Sequence, residues 1–424
     1  MMMFLQYAIW GAWLPLLWPF LHGHRGFTAD EVGTMFAVGA VGALLAPFVA
    51  GQIADRWFAT EKFLALSHLA GAFLVWQLAR VETYGEFLVF SLAYSLVYAP
   101  TLSLTNSLAF HHLPDRDRDF GRVRVWGTVG WIAAGIGIGQ WLRVRHSPAE
   151  VPPDVRAAAE WAGMADAFSL SAALGVLMGV YCLFLPHTPP AVGERANAAF
   201  EALRETQRQP LLTLFLLAVP ISCIHQFYFV HTAGFLGRFQ SDAATAINRV
   251  FGVGGGGLMT IGQMSEIVVL ASLPLVTKKV SRKALLGVGI AAYALRMALF
   301  AYGEALPVPL TLTLVVGVAL HGLCFGCFIF VAFMIVDEET TGDVRASAQS
   351  LFNVVIVGVG VIVGSYVATS VATWAERDGV LDYTRLFSVP MWAALACLLF
   401  LLLFYPARPA ALEPVGARSA GSRP

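Results

Sequence analysis

The sequence predicts an all-α membrane protein of twelve transmembrane helices, arranged as two six-helix halves. Three observations predict it. Hydrophobic residues make up 58% of the chain and charged residues only 13%, a balance that suits a lipid-embedded protein rather than one large water-soluble core. Twelve apolar stretches approach or exceed the roughly 20 residues needed to cross a bilayer. With the amino terminus inside, inner segments hold 17 of the 27 Lys and Arg residues and outer loops hold 9, the bias expected of cytoplasmic loops. Both termini on the cytoplasmic side require an even number of spans, which agrees with twelve.

The stretches run over 4–22, 31–53, 63–79, 85–109, 123–142, 165–185, 210–236, 252–277, 284–303, 307–335, 346–370 and 386–406. The first leads into Trp18-Pro19-Phe20-Leu21 rather than a small-residue cleavage site, and no basic segment precedes it. It therefore reads as a span and not as a removable signal. The longest connectors are 143–164 and 186–209. The second divides the chain into an N-terminal half (1–185), a cytoplasmic inter-half loop (186–209) and a C-terminal half (210–407). Within that loop, 194–208 has apolar residues at helical spacing among mixed charges, the pattern of a short interfacial helix. The tail 408–424 is rich in Pro, Ala, Gly, Ser and Arg and reads as disordered.

Several classes are disfavoured. Net charge is zero, so there is no electrostatic footprint for nucleic acid. The five cysteines fall in apolar stretches, and Cys324-x-x-Cys327 reads as buried packing rather than a redox pair. The glycines at 252 and 254–257 lack the Lys-Ser/Thr and strand context of a phosphate cradle, so no cofactor is implied. His111-His112 and the charges after it are too local for a metal site. The loops are too short for a sensory domain, and no catalytic constellation appears inside a span, so neither a receptor nor a membrane enzyme is favoured.

One acidic residue stands near the middle of the eighth stretch: Glu266. A charge at that depth costs roughly 3 kcal/mol or more and normally faces a protein interior or a wet cavity. Gln263 lies one helical turn before it, on the same face. Arg296 is the other intramembrane charge.

Gly51-Gln-Ile-Ala-Asp55-Arg56 joins spans 2 and 3 and resembles the G-x-x-x-D-R loop of the major facilitator superfamily. The resemblance implies a major facilitator fold with Asp55 and Arg56 gating the inner face. The corresponding loop of the second half, Val276–Lys283, keeps basic residues and lacks the Gly and Asp, a weak internal repeat of the kind such transporters carry.

Finer motifs follow in order: Gln6 to Leu14 in span 1, Arg122 to Trp131 opening span 5, Gln263-Met-Ser-Glu266 in span 8, Leu295-Arg296 to Gly303 in span 9, and Arg345-Ala-Ser-Ala-Gln349 leading into span 11. Together they resemble the bacterial nucleoside:H+ symporter family, from end to end with little insertion. What the resemblance implies is import of a nucleoside across the inner membrane with a proton, by alternating access, through a chain that acts as a monomer in the lipid bilayer.

The residue types suit it. Gln6, Trp10 and Trp13 fall on one helix face, and Arg124, Thr128 and Trp131 repeat that spacing. Aromatic faces stack on a flat base, while amide, hydroxyl and guanidinium groups answer ribose hydroxyls. The bland alternative for Trp13 is core packing. Carried over by position, the family's site falls on Arg124, Thr128, Gln226, Gln263, Glu266 and Phe325. Three positions depart: Phe229 for an asparagine, His321 for a tyrosine, and Gly326 for an aspartate of the site. The expected substrate-binding set is Gln6, Trp10, Arg124, Thr128, Trp131, Gln226, Gln263, Glu266, His321 and Phe325, with Glu266 as the proton-coupling group. His225 and His231 read first as hydrogen-bonded packing residues. An oligosaccharide or galactoside:H+ symporter is the runner-up, because such carriers also place an arginine beside a histidine and an acid. A proton-independent nucleoside uniporter is the other alternative.

Overall fold

The computed structural model describes residues 1–49, 59–114, 116–148, 150–189, 204, 206–239, 242–254, 256–340, 345–378 and 380–406. Asp55 and Arg56, most of the inter-half loop and the tail after 406 lie outside the described residues.

The chain is helical almost throughout. The N-terminal set comprises α1 (Met2–Trp13), α2 (Ala29–Val49), α3 (Thr60–Leu78), α4 (Tyr84–His112), α5 (Arg116–Arg145), α6 (Pro153–Gly163) and α7 (Ala165–Cys182). The C-terminal set comprises α8 (Leu211–Gly237), α9 (Asp242–Phe251), α10 (Gly256–Val276), α11 (Arg282–Tyr302), α12 (Leu310–Glu338), α13 (Arg345–Asn353), α14 (Gly360–Ala375) and α15 (Tyr383–Phe404). A two-residue antiparallel ribbon, Glu376–Arg377 on Val380–Leu381, joins the last two helices.

Helix starts follow from side-chain caps. Thr28 and Glu31 form a reciprocal capping box ahead of α2, and ahead of α4 the Thr83 hydroxyl accepts from the Glu86 N–H and donates to the Glu86 carboxylate. Ser281 caps α11 and Asp382 caps α15 by accepting from the N–H three residues on. Pro15 and Pro19 explain why the first expected span is not one continuous helix. α1 ends at Trp13, a tight turn covers Leu14–Leu16, and a wider π segment runs over Pro19–His24. Further π segments lie within α12 at Cys324–Phe330 and between α13 and α14 at Val354–Val359.

Among the described residues, eight helical stretches are long and apolar enough to cross a membrane: α4, the α6–α7 pair, α8, α10, α11, α12, the α13–α14 run from Ala348 and α15. The four other expected spans fall on α1, α2, α3 and α5. The turns interrupt α1, and the described part of α2 stops at Val49. α3 carries Glu61, Lys62, His68 and Gln77, and α5 opens on a charged run. Large apolar side chains such as Leu66, Phe73, Leu216, Val268, Trp392 and Leu399 stand on the outer surface. In water that surface would drive aggregation, whereas in lipid it costs nothing.

Within the N-terminal set α1 packs on α5 and α7, and α3 on α7 and α4; within the C-terminal set α8 packs on α14 and α15, and α11 on α15. The sets meet chiefly where α2 packs on α14 and α5 on α10, and α5 also meets α9. The two main crossings are close because glycines stand at them. A Cβ at Gly33 would lie 2.5 Å from Thr369 Oγ1, and one at Gly252 only 2.0 Å from the Gly139 carbonyl carbon. At the second crossing the backbones bond directly: the Val253 N–H donates to the Gly139 carbonyl at 3.0 Å. Gln140 adds its amide to the carbonyls of Arg249 and Val250 at 2.7 and 2.9 Å. These bonds form a seam between α5, in its last third, and the junction of α9 and α10.

Candidate functional site

The expected site residues come from α1 and α5 on one side and from α8, α10 and α12 on the other. α1 and α5 approach closely because Gly11 and Gly130 carry no side chain; a Cβ on Gly130 would stand 2.0 Å from the Phe4 carbonyl oxygen. That approach sets the Trp10 and Trp131 rings edge to face, 6.3 Å apart at 73°. Trp131 in turn meets Phe229 of α8 at 6.3 Å and 75°, so an aromatic row bridges the two helix sets. Such edge-to-face contacts are favourable and fix the ring orientations.

The polar residues of the N-terminal set are arranged differently from one another. Gln6 is fully buried, donates through Nε2 to Thr101 Oγ1 at 2.8 Å, and accepts through its backbone carbonyl from the Tyr98 hydroxyl. Thr128 is buried. Arg124 is partly exposed, with its guanidinium 4.0 Å from the centre of the Tyr7 ring. Trp13 faces away from this row, stacked on Phe168 at 5.4 Å and edge-on to Tyr94, which is the packing alternative.

The C-terminal set holds the buried charge. Glu266 and Gln263 lie on α10, both buried, and the Gln263 Oε1 has no partner among the described residues. Gln226 of α8 donates to Ser365 Oγ at 3.1 Å. His321 of α12 is 2% exposed and sits between two charged groups. Its Nδ1 is 3.1 Å from Arg296 Nη1, and its Nε2 is 3.8 Å from Glu266 Oε2. The ring is stacked on Tyr228 at 4.8 Å, on His225 at 5.4 Å and, more loosely, on Phe325 at 6.4 Å. Arg296 has no exposure; its guanidinium lies 4.3 Å from the Tyr228 ring centre and 5.0 Å from that of Tyr293. A buried guanidinium would be very costly alone, and two aromatic faces plus one hydrogen bond offset part of that cost.

The partner of Arg296 is thus His321 and not Glu266 directly. His225 bonds the Tyr293 hydroxyl at 2.7 Å, and His231 bonds the Ala368 carbonyl at 3.0 Å, so both have the packing partners expected of them. Gly326 backs onto α10: a Cβ there would stand 2.6 Å from Val269 Cγ1. A carboxylate at that position requires Val269 to give way. Sequence reasoning did not single out Tyr228 and Tyr293. Tyr293 stands three residues before Arg296, and Tyr228 three after His225, so helical spacing from residues already chosen was the signal.

Close helix pairs join the two sets, with a buried carboxylate and aromatic rings near their contact, in a chain whose family and relatives are membrane transporters and not enzymes. The chain belongs to the nucleoside H+ symporter family, whose model matches residues 1–408. It is 34% identical over 375 residues to YegT of Escherichia coli (strain K12), covering 86% of this chain and 81% of that protein. It is 27% identical over 408 residues to the nucleoside permease NupG of the same organism, covering 91% and 90% of the two chains. The fold matches the crystal structure of the nucleoside transporter NupG with a TM-score of 0.80 at 25% identity, over 95% of this chain and 96% of that one. With its apolar helices and this membership, the chain is a multi-pass membrane protein.

Proposed function

We propose that this protein imports nucleosides across the bacterial inner membrane together with protons. Residues 1–185 and 210–407 form two six-span halves that rock about the site, with twelve spans in all and both termini cytoplasmic. In that orientation the seam at Gly139 and Gly252 lies on the outer side. The carrier works as a monomer in the bilayer and needs no cofactor, metal or nucleic acid.

The observation that carries the reading is an aromatic row that runs from Trp10 and Trp131 through Phe229 to His321, whose Nε2 is 3.8 Å from the buried Glu266 carboxylate, in a chain whose length belongs to this family. The base would stack on the aromatic row and bond the amides of Gln226 and Gln263. Arg124, Thr128, His321 and Phe325 complete the contacts, and Gln6 supports α1 from behind. Glu266 takes a proton from outside, the loaded carrier reorients, and proton and nucleoside leave inside. Asp55 and Arg56 gate that inner face.

Uptake of a labelled nucleoside into liposomes tests the substrate class. Unlabelled purine and pyrimidine nucleosides compete, and disaccharides do not. Competition by a galactoside alone would overturn the reading and favour the oligosaccharide symporter, which the Arg296–His321–Glu266 row keeps in view.

A further inference from the structure

The geometry points to His321 as a neutral histidine locked in one tautomer by Arg296, so that its Nε2–H is presented to Glu266 and the imidazole itself carries no proton through the cycle. This rests on the reading of Glu266 as the proton-coupling group. Arg296 is then a positioning residue that acts through His321.

The argument begins with donor and acceptor capacity. A guanidinium has only donors, so a nitrogen that bonds it must be a bare acceptor. Arg296 Nη1 lies 3.1 Å from His321 Nδ1, which places the lone pair on Nδ1 and the ring proton on Nε2. Nε2 is the nitrogen nearer Glu266, 3.8 Å from Oε2. That is too long for a hydrogen bond, and a movement of about 1 Å closes it. A second proton on His321 would have to sit on Nδ1, against the guanidinium and at the expense of its bond.

The surroundings hold both partners still. Arg296 is completely buried between the Tyr228 and Tyr293 rings. The His321 plane is clamped between Tyr228 and His225 of α8, and the His225 Nδ1 is engaged by Tyr293. The ionisable groups around the imidazole are therefore His225 and Tyr228 from α8, Glu266 from α10, Tyr293 and Arg296 from α11, and Cys324 on its own helix. The only carboxylate in this set is Glu266. When it is charged, the Nε2–H is its donor. When it takes a proton, it no longer needs that donor, and the Nε2–H is free for a substrate oxygen or nitrogen. The fixed tautomer thus couples the state of Glu266 to what the site offers a ligand.

The test uses the full-length protein in liposomes with the membrane potential clamped. His321→Gln keeps a donor near Nε2 and cannot titrate. It slows uptake, and the accumulation ratio still follows the imposed pH gradient. Arg296→Met frees Nδ1 to take a proton, so the pH optimum of uptake moves, and adding His321→Gln removes the part of that movement that the imidazole causes. If His321→Gln retains downhill exchange yet loses all response to the gradient, His321 carries the proton and the inference is overturned. An Arg296→Met optimum that does not move, in protein that still exchanges substrate, overturns it too. Failure of the wider reading has a different signature: Glu266→Gln would itself accumulate substrate up the gradient.

Discussion

The two helix sets bring different chemistry to the place where they meet. The α1–α5 side offers ring edges and faces, Trp10 and Trp131, and one half-solvated cation, Arg124 over Tyr7. The α8–α12 side holds a fully buried cation, a histidine and a carboxylate in one row, walled by tyrosines. The first arrangement has no titrating group in its centre and suits gripping a flat ligand. The second holds a titratable carboxyl, buried beside a histidine that bonds a guanidinium. The difference teaches that substrate grip and proton response can be damaged separately, although one movement serves both.

The sharpest way to break that division is at Glu266. Glu266→Gln should lower concentrative uptake by about a hundredfold or more while sparing exchange, since exchange needs no net proton movement. Next is the seam. Gly252 has a positive φ of 83°, and any Cβ there meets the Gly139 backbone. Gly252→Ala should cut uptake by roughly tenfold, with ligand-induced tryptophan quenching in detergent changing by less than about threefold, because closure rather than binding is impaired. On the aromatic side, Trp131→Ala should raise KM about tenfold, or ~1.4 kcal/mol, and leave the accumulation ratio at a given pH gradient where it was. An altered ratio would mean that grip and coupling are not separable.

The smallest effect belongs to a contact away from the place where the sets meet. Glu61, just ahead of its span, accepts from His187 Nδ1 at 2.8 Å and from the Thr188 N–H at 3.0 Å, tying the segment after α7 to the start of α3. Burial pushes its carboxyl up, but these hydrogen bonds outweigh it and hold the group below the ordinary carboxylate range. The stabilisation is therefore complete above the unfolded value of about 4.5 and is lost as pH falls through the lowered one. Glu61→Gln should cost about 1–2 kcal/mol at neutral pH, read as a lower Tm, and the gap to the parent should shrink in acid.

Much of this was legible in the chain. Glu266 announced itself because a charge in an apolar stretch is costly, and Gln263 because three residues make one helical turn. The change of helix type after Trp13 was not read from the chain, although Pro15 and Pro19 are its local cause. Spacing also set Gln6, Trp10 and Trp13 on one face, yet their neighbours differ: Thr101 for Gln6, Trp131 for Trp10, Phe168 for Trp13. A helical wheel gives a direction and not the helix that lies there. For the same reason Arg296 could not be matched to His321, 25 residues away on the next long helix. The departure at Gly326 was visible, but its match to Val269 depends on how α10 and α12 pack. Span counting was weakest where polar residues enter the helices, in α3 and α5, since hydropathy averages hide groups turned toward a protein interior.

The central claim is that a proton gradient drives nucleoside accumulation through Glu266. Its most direct test is the final accumulation of a labelled nucleoside in liposomes, with and without an imposed inward proton gradient at clamped potential. The account predicts uphill accumulation only with the gradient, and none for Glu266→Gln. Equal final levels in the two conditions for the parent protein would contradict it and leave a uniporter.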